Sequence, residues 1–131
     1  MKKVGLLNAP LSEVIAGMGH RDSLVIADAG LPIPAGVRRI DLAIRPQLPR
    51  FLDVVAAVLE ELAVEEAVIA VEMSERSPEV RTGLERLLPS VPLRAVPHAQ
   101  FKALTAEARA VVRTGEFTPY ANVILIAGVV F

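Results

Sequence analysis

The chain has 131 residues, with 14 basic against 15 acidic side chains and no cysteine. Balanced charge leaves no basic field for a phosphate backbone, which argues against a nucleic-acid partner, and zero cysteines exclude disulfides, thiol chemistry and thiolate zinc sites. No apolar run approaches the ~20 residues of a membrane span, and "MKKVGLLNAPLSEVIAGMG" is too broken by Asn8, Pro10, Ser12 and Glu13 to be a signal-peptide core.

In chain order, "PLSEVIAGM" (10–18) predicts a short helix, with Pro10 in its first turn and Gly19 as the stop. "SLVIAD" (23–28) is a continuous apolar strand of the kind covered on both faces. "AGLPIPAG" (29–36) is a loop stiffened by Pro32 and Pro34, and "VRRIDLAI" (37–44) reads as a second, less buried strand. In "LPRFLDVVAAVLEEL" (48–62), Phe51, Val54, Val55, Val58, Leu59 and Leu62 recur at helical spacing, with Asp53, Glu60 and Glu61 opposite.

"EEAVIAVEM" (65–73) is another apolar strand, and "SPEVRTGLERLL" (77–88) a helix with Ser77 as cap and Pro78 at its first position. "VPLRAVP" (91–97) opens a strand. "HAQFKALTAEARAVVRTGE" (98–116) reads as one or two helices ending at Gly115, and "YANVILIAGVVF" (120–131) as a terminal strand. Alternating strands and helices indicate a single α/β domain over residues 1–131, a three-layer α/β/α sandwich with a mixed, largely parallel sheet. The chain is 53% hydrophobic with mean hydropathy +0.47, more apolar surface than a monomer of this size buries, so an oligomer is expected.

Parallel sheets collect ligands at the carboxyl ends of their strands, which directs attention to Asp28 and His98. His20, flanked by Gly19, Arg21 and Asp22, lies in a turn. Solvated surface is the bland reading, slightly ahead of the functional one, in which an imidazole of ordinary pKa ~6.5 exchanges protons at neutral pH. Asp28 either caps the following turn or binds hydroxyl groups of a ligand. His98 and Lys102 share a helix face at i, i+4, and surface exposure is the simpler account of the lysine.

Tyr120 and Asn122, two apart at a strand mouth, would point the same way and wall a polyhydroxylated ligand. Glu72 and Glu75 read as a solvated helix entry before a ligand pair. His20 and His98 lie far apart in sequence without an evident third ligand, so no metal is expected. No Walker loop, dinucleotide fingerprint or nucleophile elbow occurs. Residue chemistry alone reaches proton transfer on a small polar substrate.

The stretches "MGHRDSLVIADAGLPIP" (18–34), "RIDLAI" (39–44), "HAQFK" (98–102), "AVVRTGEFTPYANVIL" (110–125) and "AGVVF" (127–131) resemble the RbsD/FucU family essentially end to end. "DAGLPIP" and "PYAN" side with its ribose branch over its fucose branch. The resemblance implies a pyranase that interconverts β-D-ribopyranose and β-D-ribofuranose without a cofactor, feeding ribose to ribokinase; the composition itself makes a cytoplasmic protein the default. It implies His20 as general acid, with Asp28, His98, Tyr120 and Asn122 binding D-ribose and Lys102 assisting. It also implies rings of five, often paired into decamers, with sites at subunit boundaries. A fucose-type mutarotase and a non-catalytic ribose-binding accessory of transport are the alternatives.

Overall fold

Leu24, Val25, Ile26 and Ala27 have no exposed surface, because the strand they form is covered on both faces. The structure, a computed structural model describing residues 1–131, arranges six strands in the order β2-β5-β1-β6-β3-β4. These are β1 (Ser23–Ala27), β2 (Arg38–Asp41), β3 (Val64–Ala70), β4 (Leu93–Val96), β5 (Ala110–Arg113) and β6 (Val123–Ala127). Only β6 runs against the others: it is antiparallel to β1 and β3, whereas β1–β5, β2–β5 and β3–β4 are parallel.

The side-chain period of two divides each strand between two apolar layers. Leu24, Ile26, Ala67, Ile69, Leu125 and Val112 enter the larger core, beneath the helices α1 (Ala9–Gly17), α2 (Phe51–Leu59) and α4 (Pro78–Leu87). Val25, Val68, Val111, Ile124 and Ile126 enter the smaller one, with Phe101 of α5 (His98–Leu104) and Leu31 of the preceding proline loop. A short helix, α3 (Met73–Arg76), lies between β3 and α4. Each buried Leu, Ile, Val or Phe contributes about 1.5–3 kcal/mol by leaving water. No helix is long and apolar enough to cross a membrane.

The α/β reading and most elements agree with the sequence, and three details differ. Residues 98–116 hold only α5 and a 3-10 turn, Thr105–Glu107, before β5 begins at Ala110. The helix-forming "TAEARA" run hides a four-residue strand whose β-branched pair, Val111 and Val112, is buried between β1 and β2. Ser77 holds the N-cap position of α4 as expected, but its buried hydroxyl makes no capping bond and instead donates to the Pro119 carbonyl at 2.8 Å, tying the helix start to the loop before β6. β6 begins at Val123, so Tyr120 and Asn122 precede it and strand alternation does not govern them.

Gly115 is likewise no helix stop. It follows β5, where its N–H donates to Pro49 O at 2.9 Å and its carbonyl accepts from Gln47 N at 2.7 Å. An added Cβ would meet the carbonyls of Leu48 and Arg45. These are backbone atoms that cannot swing aside. Gly115→Ala is therefore expected to cost about 1–3 kcal/mol of stability, read as a lower denaturation midpoint in urea. An unchanged midpoint would show that the 45–49 loop yields freely.

Candidate active site

Because five strands are parallel, their carboxyl ends share one edge of the sheet, and the residues leading into β6 arrive at that same edge. A cavity of about 510 Å³ opens there, with Asp28, His98, Arg113, Glu116, Thr118 and Tyr120 among its lining residues. Asp28 directly follows β1, His98 opens α5 after β4, and Arg113 ends β5.

Asp28 is held from two sides. Its Oδ1 accepts from Gly30 N at 2.9 Å, closing the turn that the sequence suggested. Its Oδ2 accepts from Asn122 Nδ2 at 2.8 Å, while Asn122 Oδ1 accepts from the Asp28 backbone N–H, also at 2.8 Å. Asn122 is fully buried and does not line the cavity. Its amide is committed to Asp28, so it aims that carboxylate; the polar wall expected of "PYAN" is supplied by Tyr120 alone.

Tyr120 adopts a left-handed backbone, φ 62°, uncommon for a non-glycine residue. Its ring stands edge-on to that of His98, with centroids 5.0 Å apart. His98 also stacks on Phe101, and its backbone N–H donates to the Glu72 carboxylate at 3.0 and 3.2 Å. Glu72 thus fixes the start of α5, a role more specific than a solvated entry. His98 Nδ1 is buried without a partner. Lys102, one turn further on, is exposed and is not part of the cavity lining.

His20 lies elsewhere. It sits before β1, whereas Asp28 follows it, and five strand residues separate the two ends by about 17 Å. His20 Nε2 is 3.0 Å from Glu65 Oε2 at the start of β3. Asp22 presents it: the carboxylate accepts from Gly19 N at 2.8 Å, closing a turn in which Arg21 is left-handed at φ 71°. The Gly19 N–H first, and Arg109 second, hold the Asp22 carboxyl below its ordinary range. Arg21 first, then His20, do the same for Glu65. Within one chain, Asp28, His98 and Tyr120 converge, Asn122 supports them from behind, and His20 stands at the opposite pole.

Two lining residues were not singled out by the sequence reading. Arg113 donates from Nε to Ala29 O at 3.0 Å and from Nη1 to both Asp41 oxygens at 3.2 Å. It was hidden by the helical reading of its strand. The nearly buried Glu116 accepts from Arg50 Nε at 3.1 and 3.2 Å and from the Thr118 hydroxyl at 3.3 Å, while its carbonyl accepts from Ala29 N. In sequence it ends "TGE" within "AVVRTGEFTPYANVIL" (110–125). Together they shape the Ala29 side of the cavity. No three of the His, Asp and Glu side chains gather as a metal site would require.

The RbsD / FucU transport protein family matches residues 1–130. D-ribose pyranases from Symbiobacterium thermophilum and Bacillus subtilis are 63% and 50% identical over 131 residues, covering all of both chains. The structure of Bacillus subtilis RbsD complexed with D-ribose superposes with a TM-score of 0.97 at 50% identity, over all of both chains. A fucose mutarotase from Streptococcus pneumoniae in complex with L-fucose shares the fold, with a TM-score of 0.79 over 95% of each chain, at only 22% identity. A match over nearly every residue, with full-length identity of half or more, makes this chain a member of the RbsD/FucU family.

Proposed function

We propose that this chain is a D-ribose pyranase that interconverts β-D-ribopyranose and β-D-ribofuranose. The observation that carries the reading is the Asp28 carboxylate, fixed by Asn122 and Gly30 at a 510 Å³ cavity beside the His98–Tyr120 pair. It occurs in a chain half identical to a protein solved with D-ribose.

The reaction needs one proton delivered to the ring oxygen and one removed from the anomeric hydroxyl. The C1–O bond of the pyranose breaks to the open aldehyde, and a different hydroxyl then adds to C1. Proton loss and gain balance, so no cofactor enters. Asp28 accepts a hydrogen bond from a sugar hydroxyl, His98 and Tyr120 hold further hydroxyls from the cavity wall, and Lys102, exposed one turn beyond His98, assists. Positioned proton transfer contributes about 10²–10⁴-fold.

His20 is the proposed proton donor and must come from a second copy, since its own cavity lies at the far end of β1. That requirement supports an assembly in which each chain lends its His20 pole to the next. A pentameric ring, or two rings forming a decamer, is part of this proposal, as is a cytoplasmic setting beside ribokinase. The fucose mutarotase likeness supports the fold alone.

Exchange NMR tests the function. Added protein should cross-saturate the pyranose and furanose anomeric signals of ribose, and do so much faster than those of L-fucose. Ribose binding without exchange would favour the accessory role instead. His20→Ala should slow ribose exchange by about 10²-fold or more while ribose binding persists; full activity in that variant would remove His20 from the mechanism. Asn122→Leu leaves the Asp28 carboxylate unaimed and should weaken ribose affinity about tenfold. Wild-type affinity in that variant would mean that Asp28 is held well enough by Gly30 alone.

A further inference from the structure

A second, smaller cavity of about 140 Å³ adjoins the sugar cavity and shares Ala29, Arg113 and Phe117 with it. Its remaining walls are Ala43, Ile44 and Pro46 on the apolar side, with Arg45 and Gly115 completing it. The rim is apolar too: Ile44 is 77% and Phe117 62% exposed. At the opposite pole, Val130 and Phe131 are 86% and 102% exposed. Two such clusters on one small chain are a mark of contact surfaces.

The chain path ties these clusters to the site. Ala127 ends β6 against the His20 turn, accepting from Arg21 N at 2.9 Å and donating to Asp22 O at 2.8 Å. The tail Gly128–Phe131 therefore leaves from beside His20 and reaches up to about 14 Å. Whatever brings His20 to a neighbour's sugar cavity brings this tail to the neighbouring socket. A cavity of roughly 150 Å³ is the size that accepts a benzene ring.

We infer that the tail Val129–Phe131 of one copy docks on the next, with the Phe131 ring seated among Ala43, Ile44, Pro46 and Phe117. The inference rests on the proposal that His20 acts across a subunit boundary. The contact is head-to-tail, so every copy offers one tail and one socket, the heterologous kind of contact from which a ring is built. Phe117 and Arg113 belong to both cavities, so a filled socket also steadies one wall of the sugar site. The tail is then an assembly anchor that registers His20 over the sugar.

The test uses full-length chains co-expressed as pairs. One carries His20→Ala with an intact sugar cavity, the other Asp28→Ala with an intact His20, and each alone is inactive. Mixed assemblies confirmed by native mass spectrometry should recover about a quarter of wild-type ribose exchange, from boundaries that join the two intact halves. No recovery would overturn the shared site, and the docking with it. With recovery in hand, Phe131→Ala on the chain supplying His20 should cut exchange about fivefold or more. The same change on the other chain should leave it nearly unaltered. Ala43→Leu, which fills the socket, should show the reverse asymmetry. Equal effects from both placements, or none, would overturn tail docking while leaving the shared site standing.

Discussion

One reversed strand organises this molecule. β6 runs antiparallel between β1 and β3, with Leu24 opposite Leu125 and Val68 opposite Ile124. That single direction carries Tyr120 and Asn122 to the edge where β1 delivers Asp28, and carries residues 128–131 back to the His20 turn. With β6 parallel, the Asn122–Asp28 clamp could not form, and the tail would leave from the sugar edge.

The clamp is also where packing and chemistry meet. Asn122 is wholly buried, and a buried amide without partners costs about 1–3 kcal/mol. Two reciprocal 2.8 Å bonds to Asp28 satisfy it. They also remove the rotational freedom that would otherwise blunt Asp28 as a hydrogen-bond acceptor for sugar hydroxyls. Glu72 does the corresponding work for His98, and Asp22 for His20. Asp28, the start of the His98 helix and the His20 turn are thus each fixed by a neighbouring polar group.

Much was readable in advance where the pattern is local. "SLVIAD" is apolar throughout because both faces are covered, and the Phe51–Val58 spacing marks the buried face of α2. Asp28 was found because an acid that ends such a strand needs partners. The errors are equally local in origin. Four residues, Ala110–Arg113, are too few to show a period against the helix-forming run before them. With that strand unseen, Arg113 was unseen as well. Tyr120 and Asn122 were paired by a strand rule that does not reach them, since the chain turns through a left-handed residue there.

The sequence by itself determined the α/β class, the covered central strands and the residue types able to move protons, because these follow from composition and short-range periodicity. Tertiary structure decided which of those residues meet. Asn122 turned from sugar wall to support for Asp28 by a contact spanning 94 positions. His20 was placed at the pole opposite Asp28, since a strand's two ends are separated by its length whatever their nearness in sequence. Such distances are set by how strands are ordered and directed in the sheet, and no local pattern encodes that order.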